Sequence, residues 1–184
     1  MSPATAHVLF VCTGNICRSP FAERLASHIA AGLPAAKPAH GWRFSSAGIG
    51  ALVGDPMDAA MAAELAARGG DPSGFTARQL TARLARDADL ILALEPAHRE
   101  WVLDEWPGLV RRTLVLGQAA RAAVDLDDDA DPLRALLAHR GAVQASDGIR
   151  DPYRRGPAAA QEAAARIERA LRAVMGADPG RTPG

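Results

Sequence analysis

Directly after the apolar run VLFV, positions 12–19 read CTGNICRS, a segment that holds both cysteines of the chain, an arginine and two hydroxyl residues. Gly14 and Asn15 are residue types that tolerate left-handed backbone, so the stretch from Cys12 through Thr13, Gly14, Asn15, Ile16 and Cys17 can curl with successive N–H groups pointing inward. Such a nest surrounds an anion. Arg18 adds a permanent charge and a planar fork that can grip two oxygens at once. Ser19-Pro20 has the order of an N-cap followed by proline at the first helical position, which brings a helix N-terminus to the same place. The inward dipoles and the arginine also favour the anionic form of a thiol at Cys12. The combination predicts a cradle for a phosphate dianion with a sulfur nucleophile at its floor.

Taken singly, each residue has a plainer role: a buried thiol, a turn glycine, a surface charge, a helix cap. Their joint occurrence at this spacing, at the end of a first strand, is what carries the chemical reading. Competing motifs fail on composition. The Gly-Lys-Ser/Thr of a nucleotide loop and a GxGxxG fingerprint are both absent. Zinc would want four ligands, and His7 is the only histidine close in sequence to the two cysteines. Cys12 and Cys17 lie too near one another to staple distant parts of a fold.

The elements needed to hold such a cradle can be read from periodicity. Strand-length apolar runs (8–11, 42–47, 89–94, 113–116) alternate with helical patterns (20–31, 56–68, within 76–86, 96–106, 157–175). This predicts an α/β fold: a doubly wound, four-stranded parallel sheet with helices on both faces, in a single domain over residues 1–176. Ligands in such sheets bind beyond the carboxyl ends of the strands, which is where Cys12 falls. Residues 177–184 read as a flexible tail. The acidic run at 125–132 reads as a solvated loop capping a helix that begins at Pro132. Lys plus Arg and Asp plus Glu both total 21, so no overall field draws the chain to nucleic acid or an anionic membrane. With no signal segment or apolar span in view, the expectation is a cytoplasmic protein with no membrane or nucleic-acid partner.

CTGNICRSP closely resembles the signature of the low-molecular-weight protein tyrosine phosphatases, and further matches are SAG (46–48), GDPMDAA (54–60), TARQ (76–79), DLILALE (89–95) and DPY (151–153). The resemblance implies a metal-free and cofactor-free hydrolase acting through a phosphocysteine intermediate. By the same resemblance Cys12 is the nucleophile, Arg18 the phosphate clamp and Asp151 the general acid. Ser19 would hydrogen-bond the sulfur, Asn15 would brace the loop through Ser46, and Cys17 would trap an oxidised Cys12 as a reversible disulfide. Tyr153 could stack on an aromatic substrate. The substrate implied is a phosphotyrosine protein, with a bacterial tyrosine kinase as candidate partner; nothing in the sequence indicates an oligomeric state.

Four departures from the family pattern stand out. SAGIGALVG supplies an aliphatic pocket wall from Leu52 and Val53 where many members have an aromatic residue, which resembles the bacterial branch associated with exopolysaccharide assembly. Phe75 replaces a loop-supporting histidine, so Asn15 is expected to lose a partner. Arg154 follows Tyr153 in place of a second aromatic. Residues 118–145 make a longer stretch before DPY than the pattern calls for. Three rivals share the scaffold or the cradle. An arsenate reductase needs further cysteines, a protein-arginine phosphatase would have threonine where Ile16 stands, and a non-catalytic phosphopeptide-binding module would not need Cys12, Arg18 and Asp151 together.

Overall fold

The computed structural model describes residues 5–124, 126 and 130–177. Four parallel strands, β1 (His7–Cys12), β2 (Arg43–Gly48), β3 (Leu90–Ala93) and β4 (Thr113–Val115), form one sheet in the order β2-β1-β3-β4. The middle of the sheet is in register at Val11, which pairs with Ala47 on one side and Ala93 on the other, and Ala93 in turn pairs with Val115. All four strands therefore end at the same edge. β1 is buried at every position, the pattern of a strand covered on both faces.

Among the described residues seven α-helices cover the sheet: α1 (Arg18–Gly32), α2 (Ala59–Ala66), α3 (Ala82–Asp87), α4 (Pro96–Glu105), α5 (Leu116–Ala123), α6 (Pro132–Ala138) and α7 (Pro157–Val174). Val8 and Phe10 of β1 join Phe21 and Leu25 of α1, Met61 and Leu65 of α2, Leu136 of α6, and Ile167 and Leu171 of α7 in the larger core. Leu9 and Val11 face the other way, into a smaller core with Ala85 of α3 and Val102 of α4. The alternation along one strand thus divides the helices between two layers. The doubly wound architecture expected from the sequence is the one observed.

Several boundaries shift for identifiable reasons. α1 begins at Arg18, with Cys17 rather than Ser19 at the N-cap position, because the Ser19 hydroxyl is engaged elsewhere. α2 begins at Ala59, not near Pro56, because Asp58 caps it: its Oδ1 accepts from the N–H groups of Ala60 and Met61. The helix expected within 76–86 is confined to α3, capped by Thr81. The stretch from Gln118 to Ala145 contains most of α5 and all of α6, and Asp131 caps α6 as the acidic run suggested. Residues 125 and 127–129 of that run lie outside the described residues. Of the expected tail, Ala177 donates to the Arg172 carbonyl at 2.8 Å, and 178–184 are not among the described residues. No helix among the described residues is long and apolar enough to cross a membrane.

Candidate active site

The loop between β1 and α1 is held from outside by its carbonyls. Those of Cys12, Thr13, Gly14 and Ile16 accept from the N–H groups of Ile49, Gly50, Leu52 and Asp58, at 2.8 to 3.0 Å. With its oxygens turned to that neighbouring segment, the loop is left with N–H groups from Gly14 to Arg18 that have no acceptor among the described residues. The start of α1, whose N-cap makes no side-chain hydrogen bond, continues the same set of free donors. Asn15 takes the left-handed conformation at φ 55°, and Gly14 does not share it. The glycine that the loop requires is instead Gly48, at the end of β2. A side-chain carbon there would overlap the Thr13 carbonyl oxygen and lie 3.0 Å from the Asn15 nitrogen.

Asn15 is fully buried and uses its whole amide. Its Nδ2 donates to Ser19 Oγ and Ser46 Oγ, each at 2.9 Å, and its Oδ1 accepts from the Arg78 backbone N–H at 2.8 Å. The expected loss of a partner through Phe75 does not occur, because that backbone group fills the place; Phe75 packs instead under the Arg24 guanidinium. Ser46 passes the chain on, donating to Glu23 Oε2 at 2.6 Å. Burial pushes the Glu23 carboxyl above its ordinary value, against the pull of that hydrogen bond.

Ser19 Oγ lies 2.9 Å from Cys12 Sγ. It accepts from Asn15, which leaves its own proton available to the sulfur, and it becomes the donor whenever that sulfur is the anion. Gln79, from the TARQ segment, donates to the Ile49 carbonyl and accepts from Ala51 N–H, clamping the loop that supports the cradle.

Arg18 is 2% exposed. Its Nη1 donates to the Ile149 carbonyl at 2.8 Å and lies 3.2 Å from Glu95 Oε2, while Nη2 lies 3.4 Å from Asp151 Oδ2. Its Nε is buried with no partner, a costly state that a bound oxyanion would relieve. Glu95 is in turn bound by His98, whose Nε2 is 2.9 Å from both Glu95 Oε1 and Thr13 Oγ1. That hydrogen bond, together with the Arg18 charge and against the effect of burial, holds the Glu95 carboxyl down at about 2. Glu95 and His98 were not among the residues singled out by sequence. A carboxylate at the end of a strand that points beyond the sheet edge was the available signal.

A cavity of about 180 Å³ opens over the loop, lined by Cys12, Thr13, Gly14, Ile16, Cys17, Arg18, Gly50, Leu52, Asp151 and Tyr153. Nine of these ten were expected from the spacing and the resemblance; Gly50 was not, and Asp151 and Tyr153 arrive from the far end of the chain because Ile149 N–H donates to the Leu94 carbonyl just beyond β3. Asn15, Ser19 and Ser46 lie behind the loop as supports and outside the cavity lining. Leu52 forms the aliphatic wall, whereas Val53 does not reach the cavity. Cys17 is buried, and burial, with Asp58 and Asp151 nearby, pushes its thiol well above the ordinary value. Asp151 Oδ1 accepts from Tyr153 N–H at 3.2 Å, which fixes the carboxylate at the mouth, where its side chain is 45% exposed.

Residues 7–135 match the family model described as low molecular weight phosphotyrosine protein phosphatase. The chain belongs to this family. Among its relatives, the phosphatase is 41% identical to the low molecular weight protein-tyrosine-phosphatase Etp of Escherichia coli K12, over 60% of this chain and 69% of that one. It is 39% identical to Wzb of Salmonella typhi, over 60% and 68%. Among solved structures, the tyrosine phosphatase AmsI of Erwinia amylovora superposes with a TM-score of 0.72 at 26% identity, covering 97% of each chain. The enzyme is thus a low molecular weight protein-tyrosine phosphatase, of the class that works through a phosphocysteine intermediate. The family match ends before Asp151, so that residue's place in the site rests on the DPY segment and on its geometry.

Proposed function

We propose that Cys12, Arg18 and Asp151 carry out the hydrolysis in two displacements. The Cys12 thiolate attacks phosphorus in line, the bond from phosphorus to the phenolic oxygen breaks, and a proton from Asp151 passes to that oxygen as it leaves. The phosphoryl oxygens rest on the loop N–H groups and on the Arg18 guanidinium, which lines the same cavity. Water then attacks the phosphocysteine with the Asp151 carboxylate accepting its proton; the phosphorus–sulfur bond breaks, and inorganic phosphate departs. Ser19 donates to the sulfur as it becomes an anion again. Leu52 and Tyr153 flank the ring of the substrate.

The observation that carries this reading is the cavity lined by Cys12, Arg18 and Asp151 together, with Arg18 Nη2 3.4 Å from the Asp151 carboxylate. The substrate is a phosphotyrosine protein, and the naming of Etp, Wzb and AmsI as tyrosine phosphatases, together with the aliphatic wall at Leu52, supports a bacterial tyrosine kinase as the partner. Steady-state hydrolysis of phosphotyrosine, phosphoarginine and phosphoserine peptides by wild type, Cys12→Ser and Asp151→Asn tests it. Phosphotyrosine is expected to be preferred, with no turnover by Cys12→Ser. Asp151→Asn should slow esters of basic phenols by roughly 100- to 10,000-fold and esters of acidic phenols far less. Preference for phosphoarginine would reject the substrate, and an equal slowing of all esters would remove Asp151 from the role of acid.

A further inference from the structure

A second cavity, of about 100 Å³, adjoins the first and shares Asp151 with it; its other lining residues are Arg150 and Arg155 of the same loop and Ala159, Glu162, Ala163 and Arg166 along one face of α7. That volume exceeds the ~30 Å³ share of a water molecule several-fold. Three arginines line it in a chain whose formal charge is zero. The guanidinium groups of Arg150 and Arg155 have no hydrogen-bond or ion-pair partner among the described residues, and that of Arg166 donates only to the Ser146 carbonyl. The two carboxylates present do not neutralise them. Asp151 is turned to Arg18 and to Tyr153 N–H, and Glu162 is exposed and pairs with none of the three. The first turn of α7 adds N–H groups that its N-cap, Gly156, cannot satisfy through a side chain.

We propose that this cavity is an accessory anion subsite, taking a carboxylate or a second phosphate carried by the substrate peptide within about three residues of the phosphotyrosine, ~10 Å of extended chain. The inference rests on the phosphotyrosine-protein reading above. Arg154 supports the geometry: it adopts φ 57° and lays its guanidinium over the Tyr153 ring at 5.0 Å, so the peptide leaving the phosphotyrosine pocket meets a run of cations from 154 and 155 round to 150 and 166. Clustered arginines hold anions through charge-assisted, often bidentate hydrogen bonds. The enzyme would then favour phosphotyrosines set among acidic residues or among other phosphotyrosines.

The experiment compares kcat/KM for three peptides differing only in the flank of one phosphotyrosine: neutral, glutamate-containing and doubly phosphorylated. Wild type and the double variant Arg150→Gln/Arg155→Gln are measured at low and high salt. p-Nitrophenyl phosphate, too small to reach the arginines, reports that the variant is folded. Wild type is expected to favour an anionic flank by roughly 5- to 10-fold, less at high salt, and the double variant by less than about 2-fold. Preference for the glutamate peptide or for the doubly phosphorylated one identifies which anion the subsite takes. Equal kcat/KM for all three, or a preference that survives the double variant, overturns the proposal. If p-nitrophenyl phosphate is turned over and no peptide is, the peptide-substrate reading has failed. Arginine Nε–Hε NMR signals of phosphate-saturated enzyme, titrated with an unphosphorylated glutamate-rich peptide, then decide the subsite: shifts confined to Arg150, Arg155 and Arg166 support it, and none overturns it.

Discussion

Ser19 has one proton and three neighbours competing to define its role. Had it capped α1, as its position before Pro20 suggests, its oxygen would have accepted from an N–H of the first turn. Instead it accepts from Asn15 and points at Cys12 Sγ from 2.9 Å. A hydrogen bond to a charged group contributes about 1.5–3 kcal/mol. Ser19→Ala should therefore lower kcat by roughly 10- to 100-fold, and most strongly in the second displacement, when sulfur is the leaving group. Rapid-mixing assays with p-nitrophenyl phosphate would then show a burst of p-nitrophenol followed by slow turnover. A uniform loss with no burst would place Ser19 in the structure of the loop alone. The identities of Cys12, Arg18 and Ser19 were legible in eight consecutive residues because the chemistry is local. The partner that holds the serine hydroxyl there was not, since it is Asn15, and Asn15 is aimed by Ser46 and by the Arg78 backbone, both from later in the chain.

At the scale of elements, the cradle is a strand-to-helix turn seated on the end of a neighbouring strand. β1 and β2 are paired out to Cys12 and Gly48, and beyond that point the loop carbonyls take over the pairing. The seat works only because Gly48 has no side chain where the Thr13 oxygen passes. Gly48→Ala should destabilise the fold by about 1–3 kcal/mol, the range for forcing a carbon into packed space, and should raise KM for p-nitrophenyl phosphate by displacing the N–H groups of the loop. Urea denaturation and steady-state kinetics together check it; a variant with unchanged midpoint and unchanged KM would show that the loop does not depend on this approach. The order of strands and helices was readable because the central strands β1 and β3, buried on both faces, read as near-continuous apolar runs. Their ends were not, since Asp58 and Thr81 set the starts of α2 and α3 through single side-chain caps, and periodicity does not register a cap. Of the two residues expected to tolerate left-handed backbone, Asn15 adopts it and Gly14 does not, while the need for Gly48 was hidden because a close approach between segments is not visible in sequence.

For the molecule as a whole, the site ties together segments from the beginning, middle and end of the chain, and the charge that binds them has consequences for stability. Glu95, at the end of β3, connects Arg18 of α1 with His98 of α4, and Arg18 also holds the loop that carries Asp151. In the folded protein the Glu95 carboxyl is held at about 2, from an ordinary value of 4.5. A carboxyl depressed by folding stabilises the native state in its ionised form. That stability is fully present above about pH 4.5 and is lost as pH falls from there through about 2, because the proton bound in the unfolded chain must then be bound by the folded one as well. With the side chain 33% exposed, solvent screening reduces the contribution to roughly 1–2 kcal/mol. Glu95→Gln keeps the shape and the acceptor for His98 but removes the charge. Its deficit in unfolding free energy should be about 1–2 kcal/mol at pH 7 and should shrink towards zero between pH 4.5 and 2. Urea titrations of both proteins at steps across that interval measure the difference directly, and the other titrating groups cancel between them. A deficit that stays constant down to pH 2.5 would mean that the variant disturbs packing, and that the ion pair at the centre of the site does not hold its three segments together.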